Sequence, residues 1–295
     1  MKKTIFKGAG VAIVTPMNSD GSVNFDKLGE LIDFQINGGT DAIIICGTTG
    51  ESSTLNHEDH TNAIRYTVER VAHRVPVISG TGSNDTLYAV KLSNEAEDAG
   101  VDALLLVTPY YNKTTQAGLV RHYNYIADRV ETPVIIYNVP SRTGLNVLPE
   151  TYKELSKHPN IAAIKEANGN IDAAARTMSL CGDDLNVYTG NDGDILPMLA
   201  LGAKGVISVM SNIMPRETHD ICAKFFAGDI EGSRRLQLDL MSLVDALFIE
   251  VNPIPVKAAL NLMGFGVGEC RMPLAPMSEK NLAVLKSELI KHKLM

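Results

Sequence analysis

The sequence has few of the features that mark specialised protein classes. Its four cysteines, Cys46, Cys181, Cys222 and Cys270, are scattered and form no Cys-x-x-Cys pair, so a reduced, cytosolic protein is expected. No basic run occurs and the formal net charge is −7, which argues against nucleic acid or an anionic membrane surface as a partner. No apolar run approaches the length that crosses a bilayer. The lysines near Met1 are followed by no apolar stretch, so Met1–Gly10 does not read as a secretory signal. Tryptophan is absent, from which nothing follows. What remains, 45% hydrophobic and 21% charged residues, suits an ordinary globular protein, and 295 residues suit one large α/β barrel.

The dominant pattern is a repeated alternation of short apolar runs with helical periodicity. The runs are Gly8–Pro16, Asp41–Gly47, Val75–Gly82, Ala103–Pro109, Pro133–Val139, Ile161–Ala167, Leu185–Gly190 and Gly205–Val209. Each ends in turn chemistry and reads as a strand buried on both faces, which predicts a (β/α)8 barrel. A doubly wound open sheet is the alternative, but the first run ends in Val14-Thr15-Pro16 and lacks the glycine-rich dinucleotide turn. From Asp229 the alternation stops. Leu236, Leu240, Leu243, Leu247, Val256, Leu260, Leu285 and Leu289 recur at helical spacing, with Asn252-Pro253-Ile254-Pro255 as an interruption. The expected organisation is a catalytic barrel over residues 1–228 and a helical subdomain over 229–295, packed on it.

Within Ile161–Ala167, four apolar residues lead into Lys165. Alternation puts Ile161, Ala163 and Lys165 on one face and Ala162, Ile164 and Glu166 on the other. An ammonium at the carboxyl end of a core strand is costly unless paired or deprotonated. A neutral amine there can attack a carbonyl carbon and form a Schiff base. The alternative is a lysine snorkelling into solvent.

Barrel enzymes work at the carboxyl ends of their strands. The polar residues expected on that rim are Thr48, Thr49, Thr108, Tyr110, Tyr111, Tyr137, Arg142 and Lys165. Tyr137 and Lys165 end neighbouring strands, about 4.8 Å apart, and a phenol beside an amine can shuttle the protons of carbinolamine formation. Arg142, in a proline-bearing loop, offers a fork for a carboxylate. Gly47–Gly50 lacks the ending of a Walker phosphate loop, and Asn191, Asp192 and Asp194 put negative charge where a barrel would hold phosphate. His57 and His60 lie at helical spacing but have no nearby cysteine, so they read as an exposed helix start and no metal is expected. Asn191–Asp194 lacks the rest of a calcium loop.

Gly47-Thr48-Thr49-Gly50-Glu51, Tyr110-Tyr111-Asn112, the run Tyr137 to Thr143 and Ile164-Lys165-Glu166-Ala167 together resemble the motif set of the dihydrodipicolinate synthase family. That family lies in the N-acetylneuraminate lyase superfamily of lysine-dependent pyruvate aldolases. The resemblance runs from Phe6 to the last helices. It implies a lyase that condenses pyruvate, as an imine on Lys165, with L-aspartate 4-semialdehyde to 4-hydroxy-tetrahydrodipicolinate on the lysine and diaminopimelate route. It implies a proton relay of Tyr137, Thr48 and Tyr111, the last from a neighbouring subunit. Thr49 would hold the pyruvate carboxylate and Arg142 that of the semialdehyde, while Gly190 and Ile207 match positions whose carbonyls face the site. No cofactor beyond the covalent imine is implied, and the usual assembly is a cytoplasmic homotetramer of two tight dimers. A regulatory lysine pocket would fall at Ser52, His57, His60, Asn84 and Tyr110. Tyr88 stands four residues after Asn84, expected on the same helix face, where lysine-sensitive members carry glutamate, so weak or no inhibition by lysine is expected. Two rivals remain: a sialic acid or sugar-acid aldolase, and a barrel that only senses a keto acid. Arg142 and the Thr48-Thr49 pair favour the first reading, because a carboxylated aldehyde needs a cation placed to meet it.

Overall fold

A computed structural model describes residues 2–295 of the chain. The apolar runs form eight short strands: β1 Gly8–Ala12, β2 Ala42–Ile45, β3 Val77–Gly80, β4 Ala103–Val107, β5 Val134–Asn138, β6 Ile161–Glu166, β7 Asn186–Thr189 and β8 Gly205–Ser208. They pair in parallel, each with the next, and β1 closes on β8 to complete a barrel. Every strand residue is buried except Val107, which is half-buried. The expected runs extend past the strands at their carboxyl ends. There the chain leaves the sheet as Cys46-Gly47, Thr108-Pro109 and Val139-Pro140, and those departures carry the site.

Helices cover the outside: α1 Phe25–Gly38, α2 His57–Val71, α3 Thr86–Asp98, α4 Gln116–Ala127, α5 Pro140–Thr143, α6 Pro149–Leu155, α7 Ile171–Cys181, α8 Ile195–Leu201 and α9 Pro215–Phe226. Their starts follow from local chemistry. Asn56, Asp85, Thr115 and Asn170 each accept a backbone N–H in the first turn of the helix that follows. Pro140, Pro149 and Pro215 open α5, α6 and α9, where a missing N–H costs nothing. One large apolar cluster fills the space between strands and helices. A second lies inside the barrel and is built of small and aliphatic side chains, among them Ala12, Ala42, Ile44, Ala103, Ala163 and Ile207. Phe6, just ahead of β1, stacks on Tyr188 with ring centroids 4.3 Å apart and fills the amino-terminal end of this interior.

The face assignment in β6 needs one correction. Val134 pairs with Ile161, but Ile135 pairs with Ala163, so a bulge absorbs Ala162. Ile161 therefore joins Ile164 in the outer cluster, while Ala163 points inward as expected.

Four further helices follow: α10 Ile230–Asp239, α11 Met241–Leu247, α12 Ile254–Leu262 and α13 Glu279–Lys291. The leucines at helical spacing form their inner faces, with Leu240, Leu243, Leu247, Leu260, Leu285 and Leu289 all buried. A buried ion pair joins α12 to the loop after β2, with Lys257 Nζ 2.8 Å from Glu51 Oε1 and also donating to the carbonyls of Thr15 and Glu269. Removing one partner of such a pair strands a buried charge, at a cost of about 3–5 kcal/mol. Among the described residues, no helix is long and apolar enough to cross a membrane.

Candidate active site

Lys165 is 6% exposed near the carboxyl end of β6, beside a barrel interior of mostly apolar side chains. Burial disfavours its ammonium form and brings the amine down to about 7, with Arg142 adding to the effect and the buried Asp192 carboxylate opposing it. About half the amines are therefore unprotonated near neutrality. Snorkelling is excluded, because the side chain is enclosed.

Tyr137 sits opposite Lys165 in the β5–β6 register, and the amine lies 4.3 Å from the centre of its ring. Burial pushes the pKa of this phenol above its usual value, against smaller opposing effects of Arg142 and of a hydrogen bond with Thr48. Tyr137 thus holds its proton near neutrality and can pass it on. On the next rung, facing outward, Asn138 Nδ2 donates to Glu166 Oε1 at 2.9 Å, and Tyr152 donates to Oε2 at 3.0 Å. This pair pins the strand register that brings Tyr137 beside Lys165. Burial pushes the Glu166 carboxyl up to about 7 despite these donors.

Gly190 explains how the lysine side chain fits. A Cβ there would lie 2.9 Å from Lys165 Cε and 2.8 Å from Ala167 Cβ. Only a residue without a side chain allows the lysine to lie against the end of β7.

Arg142 stands in the short helix α5, not in an open loop as expected. Pro140 starts this turn, and Thr143 holds it by accepting from Thr108 at 3.0 Å and donating to the Leu145 carbonyl. Arg142 and Thr48 line one cavity of about 340 Å³ together with Val139 and Thr143. The Arg142 guanidinium donates to the Asn252 carbonyl at 3.0 Å, and the Asn252 side chain donates to Thr49 Oγ1 at 3.0 Å. Thr49 is buried, next to Thr48 in the turn after β2. Sequence reasoning missed Asn252 as a site neighbour, and it read Asp192 only as rim charge and Glu166 only as part of the β6 motif. Asn252 lies in a proline-rich interruption far along the chain, and nothing local marks it.

The other expected residues divide. Ile207 belongs to the barrel interior. Tyr111 is 92% exposed, with a left-handed φ of 68°, and is not part of its own chain's cavity. Ser52, His60, Tyr88 and Tyr110 line the same cavity as Thr48 and Arg142. His57 reaches Tyr88, its Nδ1 3.4 Å from the phenol oxygen, and its Nε2 is 3.2 Å from Glu95. His60 contradicts the reading of an exposed helix start. It is buried, with Nε2 2.8 Å from the Gly80 carbonyl, because α2 packs that side on β3. Asn84 also departs from expectation. Helix α3 starts at Thr86 behind its cap Asp85, so Asn84 shares no helix face with Tyr88 and lines a separate cavity with Asn112 and His122. Among the described residues, no group of three or more His, Cys, Asp or Glu side chains is placed to hold a metal ion.

Comparison with known proteins bears on this geometry. The model of the dihydrodipicolinate synthetase family matches residues 5–292. A 4-hydroxy-tetrahydrodipicolinate synthase of Acetivibrio thermocellus is 59% identical, covering 98% of this chain and 98% of its own. The crystal structure of dihydrodipicolinate synthase from Thermotoga maritima superposes with a TM-score of 0.97 at 44% identity, covering 99% of this chain and 100% of its own. The chloride-inhibited dihydrodipicolinate synthase of Acinetobacter baumannii, solved in complex with pyruvate, has a TM-score of 0.97 at 42% identity and the same coverage.

Proposed function

The chain belongs to the dihydrodipicolinate synthetase family and is a lyase that condenses pyruvate with L-aspartate 4-semialdehyde to 4-hydroxy-tetrahydrodipicolinate; from that premise we propose how its residues divide the work. Lys165 is the nucleophile. Its neutral amine adds to the keto carbon of pyruvate, and the carbinolamine loses water to give an imine. Loss of a methyl proton turns the imine into an enamine, whose carbon attacks the aldehyde while the aldehyde oxygen takes up a proton. Tyr137 and Thr48 carry these protons, completed by Tyr111 of a second copy of the chain. Thr49 holds the pyruvate carboxylate and Arg142 that of the semialdehyde, with the carbonyls of Gly190 and Ile207 lining the reacting end. The amine of the semialdehyde then closes the ring and displaces Lys165, so no cofactor enters. The working assembly is a cytoplasmic homotetramer, and residues 229–295 are a helical appendage of the barrel 1–228.

The observation that carries this reading is the Lys165 amine, enclosed at the end of β6 and 4.3 Å from the centre of the Tyr137 ring, where burial brings it down to about 7. Borohydride added in the presence of pyruvate tests it. A covalent mass on Lys165 with loss of activity is expected. An adduct on another lysine, or none, refutes the assignment.

A further inference from the structure

Asn252 lies between α11 and α12, directly before Pro253, and is 5% exposed. It meets both groups assigned to the substrate carboxylates. Its side-chain Nδ2 donates to Thr49 Oγ1 at 3.0 Å, and its backbone carbonyl accepts from Arg142 Nη2 at 3.0 Å. Its Oδ1 is buried without a hydrogen-bond partner.

A hydroxyl carries one proton and two acceptor positions. When Asn252 donates into Thr49 Oγ1 it fills an acceptor position, and the Thr49 proton stays free for an anionic ligand. The opposite amide orientation would let Oδ1 take that proton and turn it away from the ligand, leaving the buried NH2 group without an acceptor. The two orientations therefore assign Thr49 opposite roles toward a carboxylate.

We propose that Asn252 is a positioning residue: its amide directs the Thr49 hydroxyl proton at the pyruvate carboxylate, while its carbonyl holds Arg142 turned toward the second substrate. The helical region after the barrel thereby sets both carboxylate sites. This rests on the pyruvate-imine reading above.

The experiment uses the full-length protein in its native assembly. The pyruvate concentration dependence of borohydride trapping at Lys165 is measured for the wild type and for Asn252→Ala, Asn252→Asp, Thr49→Val and Asn252→Ala combined with Thr49→Val, alongside each Tm. Asn252→Ala should weaken pyruvate binding about tenfold and leave the KM for the semialdehyde near its wild-type value, because the backbone carbonyl remains. Asn252→Asp, nearly isosteric but able only to accept, should weaken pyruvate binding more than Asn252→Ala at a similar Tm. In the Thr49→Val background, Asn252→Ala should add no further loss. A packing role predicts the reverse order, Asp milder than Ala, and a full extra loss in the Thr49→Val background; either result overturns the inference. If Asn252→Ala does not fold, pyruvate binding by Asn252→Asp decides, and wild-type affinity there overturns the inference. Wild-type protein that traps no pyruvate on Lys165 defeats the imine reading and the inference with it. Trapping by the wild type with unmoved Asn252 variants defeats the inference alone.

Discussion

Gly190→Ala is the substitution whose consequence follows most directly from distances. The added methyl carbon would stand 2.8 Å from Ala167 Cβ and 2.9 Å from Lys165 Cε. Unbonded carbons prefer about 3.5–4.0 Å, so both contacts are short by nearly an ångström. The φ of Gly190 lies outside the left-handed region, so the effect is steric and not conformational. Lys165 Cε can swing, but Ala167 Cβ is fixed to the backbone after β6. Relief must come from parting the ends of β6 and β7, from turning the lysine, or from both. Overpacking of this kind costs about 1–3 kcal/mol, which lowers Tm by a few degrees in a protein of this size. A displacement of about 1 Å at the reacting amine costs on the order of a hundredfold in rate. The expected outcome is a modest fall in Tm, read by calorimetry, with a far larger fall in the single-turnover rate of borohydride-trapped imine. A wild-type trapping rate in a variant whose Tm has dropped would show that the lysine yields freely, and that Gly190 does not set its position.

Arg142→Ala should leave imine formation largely intact while kcat/KM for the semialdehyde falls on the order of a hundredfold or more, since a charge-assisted contact at a buried site contributes about 2–5 kcal/mol; unchanged semialdehyde kinetics would reduce Arg142 to a holder of the Asn252 turn. Burial lowers the Lys165 amine to about 7, so the free amine predominates above that pH and the rate of imine trapping should rise with pH through about 7; a rate that rises only above pH 9 would contradict the burial argument. Tyr111 is exposed and strained, so full activity should require a second copy of the chain; a fully active monomer in sedimentation with activity detection would refute the shared site. Tyr88 offers lysine a phenol where a carboxylate would add about 1.5–3 kcal/mol, so millimolar lysine should inhibit weakly and Tyr88→Glu should strengthen inhibition; strong inhibition of the unaltered protein at sub-millimolar lysine would overturn this.

Much of the site was legible because it obeys short-range rules. Lys165 and Tyr137 end apolar strands, strands alternate faces, and in a barrel adjacent strands are adjacent in sequence, so the pairing of the two follows from order alone. Thr48, Thr49 and Arg142 were legible for the same reason, since each lies within a few residues of a strand end. What escaped was non-local. The bulge at Ala162 depends on how β6 pairs with β5, and a period of two carries no mark of it. His60 is enclosed by the packing of α2 on β3, which its position in a polar helix start does not announce.

The sequence alone determined the eight strands, the covering helices and the closed barrel they imply, and it put Lys165 near the carboxyl end of β6. Hydrophobic period and turn chemistry act over a few residues, and the chain states them locally. Only the tertiary structure decided that the turn at Asn252 reaches back 203 residues to Thr49 and 110 to Arg142, and that the Lys257–Glu51 pair clamps α12 to the turn after β2. It also decided that Asn84 and Tyr88 line different cavities. Contacts between distant segments arise when helices and loops pack on a finished barrel, and no local period encodes where two such surfaces will meet.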